Sequence, residues 1–368
     1  MYTTLIILSL LGVQLAGTIG LWGAYETPFE LNPKTNPNAV CKRIIGTDFC
    51  NSRPGIVSKV LEGIASSVEE CQNRFRNRKW NCTTQKRSLR KILQHDYRET
   101  AFVFAITSAG ITFTVSKACS LGELQGCGCN ARKGLDISSS NLVPQGRDEL
   151  QYEKRSLHEN AMGLDEAERH DFERRGCQHV YTQFGFDTAK QFMDPMGSRD
   201  AKALISRHNN KAGRLAVKNH MEKKCRCHGL SQTCQMKTCW WELPAFRSVS
   251  DRIKTHFDGA VKVYVDNKGE RIIAEESTVK PPTEEDLVYT TRSPDFCNSE
   301  YRTGSLGTRG RTCNETSQGT GGCELLCCGR GYERTVINEE VNCRCRFHWC
   351  CEVRCKKCKK ERVVFTCK

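Results

Sequence analysis

The 368-residue chain lacks any apolar run long enough to cross a bilayer, which needs about 20 residues. The nearest candidate, Ala101 to Val115, is about 15 residues long and carries four Ser/Thr, so it reads as a buried core helix. The first apolar stretch, Leu5 to Val13, is shorter still, and no Lys or Arg precedes it. Small residues follow at Ala16 to Gly20, and Thr18 and Gly20 suit a signal peptidase site. Residues 1–20 are therefore read as a cleaved secretory signal rather than as an anchor. There is no odd cysteine among the 24, so complete pairing leaves no thiol over. A cytosolic, reducing environment is excluded by that usage.

What the chain has instead is an uneven distribution of cysteine. Half of the 24 fall between Cys297 and Cys367. That segment is too short to bury much apolar core, so cross-links must carry its fold. Helical periodicity is confined to the part before Pro281-Pro282. Pro54 opens one run with apolar residues at Val57, Val60, Leu61, Ile64, Val68, Cys71 and Phe75. A second runs from Ala201 to Leu215 behind Asp200, and a third spans Phe246 to Phe257. Val261–Val265 and Arg271–Ala274 flank Asn267-Lys268-Gly269 as a hairpin. Residues between Cys129 and Cys177 are polar and charged, which predicts a mobile surface loop. Beyond the prolines only short cysteine-bracketed segments remain, as strands and loops stapled by disulfides. The predicted class is α+β and disulfide-rich. Its parts are a helical N-terminal domain over 21–280, a linker over 281–296 and a cysteine-rich domain over 297–368.

The densest pattern is Cys225 to Trp241, C-R-C-H-G-L-S-Q-T-C-Q-M-K-T-C-W-W. Four cysteines in so few residues suit a tight hairpin over 225–239. Nested bridges would pair Cys227 with Cys234 inside Cys225 with Cys239. Such a hairpin is rigid without a core and exposes Ser231 near its tip. A nucleophile elbow is excluded, because Gly229-Leu230-Ser231-Gln232-Thr233 lacks the second glycine and sits between cysteines. Zinc is disfavoured, because Cys225, Cys227 and His228 fit no common structural spacing and the compartment favours disulfides. No metal and no catalytic residue is expected. Asn81-Cys82-Thr83 and Asn314-Glu315-Thr316 are glycosylation sequons.

These residues resemble the Wnt family of secreted signalling proteins. The family's C-K-C-H-G-x-S-G-S-C hairpin is matched by Cys225 to Cys234. Its C-Q-x-x-F-R-x-x-x-W-N-C segment is matched by Cys71 to Cys82, and its E-x-A-F-x-x-A-I-x-S-A-G helix by Glu99 to Gly110. His208-Asn209-Asn210 with Ala212-Gly213-Arg214, Gly307 to Asn314, Leu326 to Gly331 and Phe347-His348-Trp349-Cys350-Cys351 continue the series over nearly all of the mature chain. Two departures stand out: Gln232 replaces a family glycine, and Phe172 to Gly176 replaces a Trp-rich segment.

The resemblance implies a hand-like molecule with a lipid-bearing thumb hairpin and an index-finger hairpin. It implies palmitoleate on Ser231 and no other cofactor. It also implies an apolar receptor-binding tip of Phe347, Trp349, Cys350, Cys351 and Val353, against the alternative that Phe347-His348-Trp349 is buried under the tail. Implied bridges are Cys41–Cys50, Cys71–Cys82, Cys119–Cys127, Cys129–Cys177, Cys297–Cys328, Cys313–Cys323, Cys327–Cys367, Cys343–Cys358, Cys345–Cys355 and Cys350–Cys351. Implied partners are the Frizzled cysteine-rich domain, a low-density-lipoprotein-receptor-related co-receptor, and Porcupine and Wntless during secretion. The expected location is the extracellular space and matrix, with membrane association through lipid alone. The rival reading is a non-lipidated matrix or growth-factor-like binding protein. The net charge of +14, with Lys356, Lys357, Lys359, Lys360 and Arg362 bunched near the end, points to heparan sulfate rather than nucleic acid outside the cell. A solvated face is the plainer alternative.

Overall fold

The computed structural model describes residues 53–85, 88–127, 177–194, 200–228, 234, 236–267, 269–349 and 352–368. Residues 1–52, which include the stretch read as a secretory signal, and residues 128–176 lie outside them. Two compact units form, and they do not follow chain order. One gathers residues up to Cys71 with Leu93–Ser293, the other Gln72–Ile92 with Pro294–Lys368.

The first unit is built on helices α1 (Pro54–Phe75, whose last turn from Gln72 counts with the other unit), α3 (Arg98–Ser120), α4 (Gln178–Met193), α5 (Ala201–Lys218) and α6 (Phe246–Asp258); the short α2 (Ser88–Ile92) belongs to the other unit. Pro54 begins α1, where its missing N–H costs nothing, and Val57, Val60, Ile64 and Cys71 form its buried stripe. α3 extends the 15-residue Ala101–Val115 run to a 23-residue helix, which by length and composition would reach across a membrane, but it is buried and packs with α4, α5 and α6 as the expected core helix. Close approach around it depends on glycine. A Cβ on Gly213 would run into the Ala105 carbonyl, and one on Gly110 into Ser67 and the Gly63 carbonyl. Without those side chains the helix backbones come nearly into contact.

α5 explains why its run of residues reads as a motif. Asp200 caps the helix by accepting from the Ala203 N–H at 2.8 Å. His208 Nε2 meets the Asp286 carbonyl at 2.9 Å, and burial lowers the His208 pKa, which favours the neutral ring. Asn209 donates to the Val288 carbonyl and accepts from its N–H, both at 2.9 Å. Asn210 donates to the Met193 carbonyl. Arg214 grips Asp194 through both terminal nitrogens at 3.0 Å and is almost fully buried. Losing either partner would strand a buried charge, a cost of about 3–5 kcal/mol.

The stretch 281–296, read as a linker from its prolines, is partly structural. Leu287 and Val288 are buried, and β5 (Val288–Tyr289) runs parallel to β3 (Val261–Val265). Apolar side chains that find a strand beside them do not remain a linker. β4 (Ile272–Ala274) completes this sheet as the antiparallel partner of β3.

The second unit has little apolar core. Cys323, Leu326, Cys327 and Cys367 form its buried cluster, with Cys313 and Phe365 packed against it. Bridges Cys297–Cys328, Cys313–Cys323 and Cys327–Cys367 converge there, alongside helix α7 (Cys323–Leu326). Segment 72–92 joins this unit through polar contacts. The Arg311 guanidinium donates to the carbonyls of Lys79 and Arg76, Lys79 pairs with Asp295 at 2.9 Å, and the Lys91 ammonium sits over the Tyr301 ring. Short strands β6 (Ser299–Glu300) and β7 (Ser305–Leu306) pair with each other. The sequence predicts only short segments here, but β9 (Tyr332–His348) and β10 (Glu352–Cys367) form a long hairpin. At about 3.4 Å per residue it extends roughly 55 Å. β8 (Thr312–Cys313) joins the outer side of β10 at its base.

Candidate functional site

Two hairpins carry the candidate site residues, one in each unit. In the first unit β1 (Glu222–His228) pairs with β2 (Met236–Glu242), with Cys225 directly opposite Cys239. Cys225–Cys239 and Cys227–Cys234 are both bonded, so these sulfurs are not thiolates available to zinc. The bridges hold a ladder whose side chains are largely exposed, so covalent links replace a core beneath it. At its base the Trp241 ring meets His179 of α4 edge-on at 6.0 Å, which ties the hairpin to the helices. Residues 229–233, including Ser231 and Gln232, lie outside the described residues.

The second hairpin ends in apolar side chains. Phe347 faces Val353 across the strands, and Trp349 follows in the turn. Their exposures are 72%, 61% and 94%, which rules out burial of Phe347 and Trp349 under the tail. Among the described residues nothing covers these three large apolar groups, so their placement has to be secured otherwise. Cys345–Cys355 and Cys343–Cys358 cross the strands just below the tip. The register shifts between Arg354 and Lys356, and Arg344 on the facing strand takes φ +47°, so β9 carries one extra residue there. Cys350 and Cys351 lie outside the described residues.

Other candidate positions are spread over both units. Cys119–Cys127 is bonded, and Cys71, Cys82 and Cys177 are each disulfide-bonded. Cys41, Cys50 and Cys129 lie outside the described residues. Asn314 is exposed, and its side-chain oxygen accepts from the N–H and hydroxyl of Thr316. Asn81 is half-buried between the buried Trp80 and Cys82, and Cys82 has φ +54°.

The basic run near the end becomes two half-runs. In a strand successive side chains alternate, so Lys356, Lys360 and Arg362 share one face while Lys357 and Lys359 take the other. β9 also places Glu340 opposite Lys359 and Glu339 opposite Lys360, with Arg362 3.7 Å from Glu339. The sequence held no signal of those facing carboxylates, because register between strands is not a local property.

The Wnt family model matches residues 45–368. Human Protein Wnt-6 is 41% identical over 353 residues, covering 95% of this chain and 93% of that protein. Human Protein Wnt-3a is 37% identical over 370 residues, covering 96% of each. Among solved structures, a chain of the complex of human WLS with WNT8A superposes with a TM-score of 0.56 at 30% identity, covering 85% of this chain and 94% of that one. Members of this family are signalling ligands rather than enzymes, and the disulfide-rich α+β fold described above is consistent with theirs. With the match running from residue 45 to the last residue, this chain belongs to the Wnt family of secreted signalling ligands.

Proposed function

We propose that the chain is an acylated ligand of Frizzled receptors, carrying palmitoleate on Ser231 and docking its second contact through Phe347, Trp349, Cys350, Cys351 and Val353. The observation that carries this reading is the exposed apolar tip, with Trp349 94% accessible on a hairpin cross-linked just below it. A tip already ordered by disulfides loses little entropy on binding, and a bare tryptophan is the usual kind of anchor. The lipid belongs to the same logic. One acyl chain gives only reversible membrane binding, so a receptor groove or carrier competes well for it. Porcupine is the proposed acyltransferase. Wntless is the proposed carrier, supported by the similarity to the complex of WLS with WNT8A. A low-density-lipoprotein-receptor-related protein is the proposed co-receptor, and Asn81 and Asn314 the proposed glycan sites. The direct test is binding of the secreted protein to an isolated Frizzled cysteine-rich domain. Saturable binding is expected, and its absence with acylated protein would overturn the reading.

Matrix association is proposed through heparan sulfate on the basic face of β10. Lys356 and Lys357 face Cys343 and Asn342 rather than carboxylates, so they keep the most unopposed charge. Changing Lys356, Lys357, Lys359, Lys360 and Arg362 together to Ser is expected to lower the salt needed for elution from heparin. Frizzled binding should persist, because its proposed contacts are apolar. Attraction of this kind is screened over about 8 Å at physiological salt, so it concentrates the ligand without locking it in place. An unchanged elution profile reduces the cluster to a solvated face.

A further inference from the structure

β9 is an edge strand with an unguarded outer side. In its sheet the order is β8-β10-β9, so β10 covers one side of β9 and no described strand covers the other. Every residue from Tyr332 to Glu340 is exposed. Edge strands are commonly protected by charged side chains, lysine above all, by proline, by bulges or by short length. β10 follows that rule with its lysines, whereas β9 has neither lysine nor proline, is 17 residues long, and carries its bulge near Arg344, beyond the Tyr332–Glu340 stretch.

The direction of its free backbone groups can be read from the ladder. The Lys368 N–H donates to the Gly331 carbonyl at 3.2 Å, so Gly331 aims its polar groups at the returning strand. Alternation then turns Glu333, Thr335, Ile337 and Glu339 toward β10, and Arg334, Val336, Asn338 and Glu340 toward the open edge. The other side of β10 agrees in phase. Phe365, opposite Arg334 in β9, is the residue that faces Cys313 of β8.

We propose that this edge pairs antiparallel with the same edge of a second copy of the chain, with Ile337 on the two-fold axis. Of the symmetric registers that match outward-facing groups with outward-facing groups, this one sets Arg334 opposite Glu340 of the second copy, twice by symmetry. It also sets Val336 opposite Asn338 and Ile337 against itself. Centring on Val336 would set Glu333 against Glu339, a like-charge pair. Centring on Asn338 would leave Glu340 facing Val336 and Arg334 facing Asn342. Charge and hydrogen-bond phase therefore select one register. Neither Arg334 nor Glu340 has an ion pair among the described residues. Contacts at a short edge are few, so the dimer is reversible and dilution-sensitive.

The test is sedimentation velocity on the full secreted protein over a dilution series, with detergent present to remove association through an acyl chain. A concentration-dependent dimer is expected. Arg334→Glu and Glu340→Arg should each weaken it at least about tenfold, since each turns two attractive pairs into repulsive ones. Mixing the two variants should restore association, because both cross-strand pairs then regain opposite charges. Asn338→Pro should also block it while the hairpin stays intact, because the N–H it removes faces away from β10. A protein that is monomeric throughout in detergent, or charge variants that associate like the unmodified chain, would overturn the proposal.

Discussion

Ser231→Ala is expected to abolish receptor activation and to leave most of the protein inside the cell. The expected size of the effect follows from the proposed lipid. A C16 chain buries roughly 14 methylenes at about 0.8 kcal/mol each, on the order of 10 kcal/mol before entropy costs. No protein contact at the tip of a hairpin replaces that. Export should fail for the same reason, because the proposed carrier grips the lipid. The substitution removes one hydroxyl from a loop closed by Cys227–Cys234 and Cys225–Cys239, so the hairpin itself should persist. Signalling in reporter cells and the ratio of secreted to cellular protein are the measurements. A variant that signals fully would sink the acylated reading and favour a binding protein that works without lipid.

Trp349→Ala is expected to weaken binding to the Frizzled cysteine-rich domain by about 2 kcal/mol or more, roughly thirtyfold. Secretion should be nearly unchanged, since a ring that is 94% exposed contributes little to folding. The pair of readouts separates a binding role from a structural one. Unchanged affinity would remove Trp349 from the interface. Retention in the cell with normal affinity of the residual secreted protein would make it a folding residue.

How far the sequence reaches depends on the range of the interaction involved. Helical faces are local, and the stripe from Val57 to Phe75 and the run behind Asp200 emerge as α1 and α5. The hairpin around 267–269 is equally local and appears as β3 and β4. Properties that depend on distant partners were hidden. Segment 72–92 groups with residues more than 200 positions away through Arg311 and Asp295, and nothing in its own composition announces that. The 281–296 stretch reads as a linker because Pro281-Pro282 dominates it, while Leu287 and Val288 pair with β3, His208 holds the Asp286 carbonyl and Asn209 holds Val288. The length of β9 and β10 was also hidden, because disulfides rather than an alternating apolar face stabilise that hairpin. For the candidate site, the apolar tip of Phe347, Trp349 and Val353 was expected from the family resemblance, and its exposure decides against burial under the tail. Ser231 rests on the pattern of its flanking cysteines, with only the strands on either side of it described.

Peptide mass spectrometry of the secreted protein across Cys227 to Cys234 reads the proposed modification itself. An ester-linked mono-unsaturated C16 chain on Ser231, removable by mild base, is expected. A secreted, receptor-activating protein whose Ser231 is unmodified would contradict the acylated reading.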